Sequence, residues 1–97
     1  MIRIGVVGYG YWGPNLVRNF AAHERCRVVA VADRNPARLP DAARRYPGVR
    51  MTTDPMEVIH APHVDAVVVA TPVVAQYQLG VAALAALVLA ALLLEDQ

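Results

Sequence analysis

Ninety-seven residues with 57% hydrophobic content suit one small domain around a single core and leave no room for a separate substrate domain. Net charge is only +1 and the basic residues, all arginine, are scattered, which argues against a nucleic-acid partner. The single Cys26 excludes an internal disulfide, and the opening Met-Ile-Arg-Ile enters a strand rather than a leader peptide, so the expected setting is a reducing cytoplasm.

In chain order, the apolar and β-branched run Ile2–Val7 predicts a buried parallel strand. Pro14 suits the first turn of a helix, and Leu16, Val17 and Phe20 continue it at 3–4 spacing to about His23. Arg27–Ala32 predicts a second strand ending at Asp33, with Cys26 as a small hydrophobe at its start. Asn35 is an N-cap residue ahead of Pro36, so a helix is expected from Pro36 to Tyr46, stopped by Pro47-Gly48. Pro40 lies one turn inside and should shorten that helix, kink it or shift its start. Val49–Thr52 predicts a short third strand, Pro55–His60 a brief helix capped by Thr53 or Asp54, and Asp65–Ala70 a fourth strand closed by Thr71-Pro72. Strands alternating with helices predict an α/β fold: a doubly wound parallel sheet of order 3-2-1-4, with ligand over the carboxyl ends of the first and fourth strands.

The residues with most to say are Gly8, Gly10 and Gly13, a G-x-G-x-x-G set between a strand and a helix. Gly8 permits the tight turn, Gly10 lets backbone approach a pyrophosphate, and Gly13 lets helix and strand pack closely. The N–H groups and positive dipole end of the helix would face the phosphates. Asp33, twenty residues after Gly13, can accept hydrogen bonds from adenosine ribose hydroxyls. Its charge should repel a 2′-phosphate and favour NAD, with NADP kept open because Arg34 could stack on adenine or tolerate that phosphate; a solvated surface arginine is its plainer role. Tyr11 and Trp12 either contact substrate or simply pack over the cofactor. His60 and His63 flank Pro62 with no third ligand in sight, so no metal is expected.

Residues 2–13 (I-R-I-G-V-V-G-Y-G-Y-W-G), 28–33 (V-V-A-V-A-D), 53–59 (T-D-P-M-E-V-I) and 64–72 (V-D-A-V-V-V-A-T-P) together resemble the N-terminal, Rossmann-like half of the Gfo/Idh/MocA oxidoreductases. The resemblance implies a glycine loop that binds pyrophosphate, an acid at Asp33 on the adenosine ribose, and Ala70, Thr71 and Pro72 beside the cofactor. The run G-Y-W-G-P-N at 10–15 is similar to members acting on nucleotide sugars.

Departures from that family pattern begin after Pro72. Gln76 stands where a histidine is usual, and the 97 residues contain no lysine to match the one that commonly serves catalysis or orients substrate. No catalytic residue is therefore assigned, and the chain reads as a truncated domain that needs a substrate domain from elsewhere. From Val81 to Leu94 every residue is Ala, Leu or Val. Periodicity cannot decide such a run: it predicts a long apolar helix, or a helix breaking near Leu87 into a fifth strand. It could complete the core, form a homo-oligomer surface or reach a membrane. Residues 79–94 number 16, short of the roughly 20 that span a bilayer, so the membrane reading is the weakest.

Overall fold

A computed structural model describes residues 1–10 and 12–70. The expected elements follow in order: β1 (Ile2–Val7), α1 (Gly13–Ala22), β2 (Cys26–Ala32), a 3-10 turn (Pro36–Arg38), α2 (Leu39–Arg45), β3 (Arg50–Thr52), α3 (Pro55–Ile59) and β4 (Ala66–Val69). The four strands form one parallel sheet of order β3-β2-β1-β4. The expected doubly wound order is therefore present. The expected fifth strand, apolar C-terminal helix and oligomer surface fall in 73–97 and lie outside the described residues.

Alternation along β1 divides the core between the two faces of the sheet. Ile4 and Val6 pack with Val17 and Phe20 of α1 and with Leu39 and Ala42 of α2. Val7, on the opposite side of the pleat, packs with Ala30, Ala32 and Val58, and with Met56 and Ile59 of α3. In β2 the alternation is interrupted. Ile4 pairs with Val28 but Gly5 pairs with Ala30, so Val29 is an extra residue. That bulge is why Val28 and Val31, three apart, both join the α1/α2 side.

Two local rules shaped the second helical segment differently from one helix over Pro36–Tyr46. Asn35 Oδ1 accepts from the Ala37 N–H at 3.0 Å and caps only the 3-10 turn. Pro40 then takes a first-turn position of α2, where its missing N–H costs nothing. The proline shifted the helix start, one of the outcomes its position allowed. In α3, Asp54 is the cap, accepting from the Met56 N–H at 3.0 Å, and Val58 is fully buried.

Backbone hydrogen bonds tie the carboxyl ends of the strands together. Gly8 N donates to Ala32 O (2.7 Å), Asp33 N to Thr52 O (3.1 Å) and Ala70 N to Val7 O (2.7 Å). The residues just past β1, β2 and β4 and the last residue of β3 are thereby held along one rim. At the opposite rim, Arg3 and Asp65 hold β1 against the start of β4. Arg3 N, Nε and Nη2 all donate to the Asp65 carboxylate at 2.8–3.0 Å.

Candidate functional site

The loop from Gly8 to Gly13 lies on the rim that those backbone bonds fix. Gly8 has φ of 102°, which a side chain would strain, so the chain can turn sharply as it leaves β1. A Cβ on Gly13 would run into the carbonyl oxygen of Gly8, a backbone atom that cannot swing aside. Glycine at this position is what brings α1 close to the end of β1. At Gly10 the fold makes no such demand: a Cβ there would meet the Arg38 guanidinium, with Nη1 2.7 Å away, at the movable end of a flexible side chain.

Tyr9, between the first two glycines, turns its ring into the core beside Val17, Leu39 and Ala42. Burial pushes its phenol above the ordinary tyrosine range, and the nearby Asp41 charge adds to the effect. The ring anchors the loop while its backbone faces the rim.

The helix that follows begins without a side-chain cap or an acidic first turn. Trp12 is its N-cap residue and makes no side-chain cap, Pro14 occupies the first turn, and no acidic residue lies in that turn. The positive end of the α1 dipole is therefore directed at the loop with no acidic side chain in the helix's own first turn. Trp12 itself is 62% exposed.

Asp33 is the one charged residue in the buried set among the described residues, at 6% exposure. A carboxylate removed from water needs donors, and the rim supplies them. Oδ2 accepts from the Tyr9 N–H at 2.7 Å, and Oδ1 accepts from the Asn35 N–H at 2.8 Å. Arg38 Nη1 lies 3.6 Å from Oδ2, with the Arg38 side chain half exposed. The acid is thus fixed in orientation and joined directly to the glycine loop.

Of the residues singled out from sequence, Gly8, Gly10, Gly13, Asp33 and Ala70 come together on this rim, with Trp12 at the mouth of the helix. Arg34 is exposed. Tyr11, Thr71 and Pro72 lie outside the described residues. Among the described residues, no group of three His, Cys, Asp or Glu side chains could hold a metal. Arg44 and Arg45 both pair with Asp41 on α2.

Sequence reasoning overlooked two features of the site. One is the Tyr9 N–H as a donor to Asp33. The other is Arg38, which lies between Asp33 and Gly10; its only signal in the sequence is a cation five residues beyond the acid.

Comparison with known proteins agrees with this geometry. Residues 2–95 match the family model described as oxidoreductase family, NAD-binding Rossmann fold. The chain is 44% identical over 71 residues to inositol 2-dehydrogenase 2 of Paenarthrobacter aurescens, covering 72% of this chain and 21% of that protein. It superimposes with a TM-score of 0.77 on scyllo-inositol dehydrogenase from Lactobacillus casei with bound NAD(H) and scyllo-inositol, at 30% identity over 89% of this chain and 26% of that one. The dehydrogenase WlbA from Bordetella pertussis, in complex with NADH and UDP-GlcNAcA, gives a TM-score of 0.65 at 33% identity, covering 73% and 22%. The chain spans about a fifth of the length of the curated relatives it matches. With its strand order, its glycine loop and its buried Asp33, the chain belongs to the Gfo/Idh/MocA oxidoreductase family and carries that family's NAD-binding Rossmann domain.

Proposed function

We propose that this chain is the cofactor-holding part of a nicotinamide-dependent dehydrogenase whose substrate is a polyhydroxylated ring, a cyclitol or a sugar. The observation that carries the cofactor half is the junction of Asp33 with the glycine loop through the Tyr9 N–H. That junction brings a fixed hydrogen-bond acceptor to the glycine loop that leads into the N-terminus of α1, the two chemistries a dinucleotide requires.

In this reading Gly8, Gly10 and Gly13 admit the pyrophosphate against backbone. The N–H groups at the start of α1 receive its charge, with Tyr11 and Trp12 beside it. Asp33 accepts from the ribose hydroxyls, with Arg34 next to it at the surface. Ala70, Thr71 and Pro72 would lie beside the cofactor. When bound, the cofactor supplies a hydride acceptor; the protein's part is to hold its reactive ring in place.

The ring-alcohol substrate class is supported by the relatives. Inositol dehydrogenases predominate among them, and WlbA in its complex with UDP-GlcNAcA keeps the nucleotide-sugar expectation open. Hydride transfer also needs a proton acceptor beside the substrate carbon. These 97 residues contain no lysine, and we assign no catalytic residue among them. We therefore place the acid/base group in a further domain or a partner chain, in a cytoplasmic protein.

Calorimetric titration with NAD⁺ tests the reading. Binding in the micromolar to submillimolar range is expected, and Gly10→Val should abolish it while the chain stays folded by circular dichroism. Undiminished affinity in that variant would refute the site assignment.

A further inference from the structure

Resting on the dinucleotide reading above, we propose that Trp12 discriminates between the redox states of the cofactor: its indole stacks on the nicotinamide ring and favours the oxidised, cationic form over the reduced, neutral one.

Helix stability does not explain a tryptophan at this position. Trp12 is the N-cap of α1, where Ser, Thr, Asp or Asn would accept from the free N–H groups, and it makes no such cap. The core does not explain it either. Trp12 is 62% exposed, whereas the ring of Tyr9, from the same loop, is buried beside Val17 and Leu39. The other exposed large hydrophobic residues among those described are Met1 and Ile2, at the amino end of β1 on the opposite rim. Among the described residues, Trp12 alone presents a large apolar surface at the rim that carries the glycine loop. Its backbone is nevertheless held in place. Trp12 O accepts the Leu16 N–H at 3.1 Å in the first turn of α1, and the adjoining Gly13 packs against the Gly8 carbonyl with no space for a Cβ. An indole on so fixed a backbone needs little ordering when a ligand arrives.

The chemistry of the indole selects its partner. Asp33, which takes the adenosine end, is bonded to Tyr9 where the loop leaves β1. Trp12 stands at the other end of the loop, where it becomes α1. A pyrophosphate takes N–H donors and is repelled by the negative face of an aromatic ring. That face attracts a cation instead, and tryptophan does so most strongly of the aromatic side chains. The nicotinamide ring of the oxidised cofactor is a flat cation. Once it has accepted a hydride it is neutral, and the attraction to the indole is lost. Trp12 therefore retains the form that can accept a hydride and favours release of the spent form, as oxidation of an alcohol requires in repeated turnover.

The test is calorimetric titration of the 97-residue chain, Trp12→Leu and Trp12→Phe with NAD⁺, NADH and ADP-ribose, each variant checked for folding by circular dichroism. Trp12→Leu keeps apolar bulk and removes the aromatic face. It should weaken NAD⁺ binding about fivefold or more relative to NADH binding, the loss of one partly desolvated cation–π contact. Trp12→Phe should fall between. ADP-ribose lacks the nicotinamide and should bind all three chains within about twofold of one another. In the unaltered chain NAD⁺ should quench the emission of Trp12, the single tryptophan, and ADP-ribose should not. If Trp12→Leu fails to fold, Trp12→Phe and this quenching contrast decide the matter. An NAD⁺-to-NADH affinity ratio that stays unchanged without the indole would overturn the inference. So would equal losses for all three ligands, which would make Trp12 a structural part of the loop, or quenching by ADP-ribose or by scyllo-inositol alone. Each of those outcomes leaves the dinucleotide reading intact as long as NAD⁺ binds. Binding of none of the three nucleotides would overturn both.

Discussion

The backbone N–H of Tyr9 donates to Oδ2 of Asp33 across 2.7 Å, joining the loop after β1 to the residue that ends β2. The bond satisfies a buried charge and holds the acid at the glycine loop, so fold stability and site geometry depend on the same carboxylate.

Replacing Asp33 with Ala leaves the N–H groups of Tyr9 and Asn35 without their acceptor. The Tyr9 donor is buried, and leaving it unmet costs about 1–3 kcal/mol; the Asn35 donor is part-buried and adds less. Asp33→Ala should therefore lower the urea midpoint clearly, and Asp33→Asn should lower it less, because the amide oxygen retains one acceptor. Equal midpoints for the unaltered chain and Asp33→Ala would show that these bonds add nothing to stability.

Two glycines of the loop should respond unequally to a methyl group. Gly13→Ala drives a Cβ into the Gly8 carbonyl, and overpacking against backbone costs about 1–3 kcal/mol. Gly10→Ala displaces only the half-exposed Arg38 side chain, so its stability should stay within about 0.5 kcal/mol of the unaltered chain. Chemical denaturation of the two variants side by side checks the contrast.

Gly5 and Val58 form a coupled pair on the other face of the sheet. A Cβ on Gly5 would collide with Val58 Cγ1 and press Val64. Gly5→Ala alone should destabilise by about 1–3 kcal/mol, and Val58→Ala alone by about 2 kcal/mol through lost burial and a cavity. Combined, the new methyl fills part of the space that Val58 vacates. The double variant should then fall short of the sum by at least about 0.5 kcal/mol in a double-mutant cycle.

Acid should weaken the chain through Asp65. Its hydrogen bonds and ion pair with Arg3 lower the folded-state pKa from 3.8 to about 2. A lowered folded pKa means that the pairing contributes fully above about pH 4 and is lost as pH falls toward 2. Both side chains are exposed, so salt should reduce the effect. The stability difference between the unaltered chain and Asp65→Asn should be constant near neutrality and close between about pH 4 and pH 2. A difference that persists at pH 2 would assign it to something other than this ionisation.

Four strand runs, three glycines at defined spacing and an acid twenty residues on were enough to anticipate the sheet order and the rim on which Gly8, Gly10, Gly13, Asp33 and Ala70 meet. Those features rest on local chemistry. Continuous β-branched runs make buried parallel strands, a proline is tolerated only at a helix start, and a crossover between parallel strands has few available paths. Pro40 illustrates the rule and its limit: it had to shift, shorten or kink the helix, but which of these occurred depended on how Asn35 and Leu39 were held by the rest of the fold.

The bulge at Val29, the donation from Tyr9 to Asp33 and the reach of Arg38 toward Gly10 were not available from the sequence. Each depends on two or more segments, distant in the chain, arriving at a common place with a definite offset. Periodicity reports which face a residue takes within its own element, and motif spacing reports which turn the backbone can make. Neither specifies the distance between a guanidinium on a 3-10 turn and a glycine after the first strand. That distance follows from the packing of β1 against β2 and from the backbone bonds that align their ends. The amino-acid sequence by itself therefore determined that a G-x-G-x-x-G loop and an acid twenty residues beyond it exist on a parallel α/β sheet. Only the tertiary structure decided which cation stands beside them, because long-range packing alone sets the separation of charges.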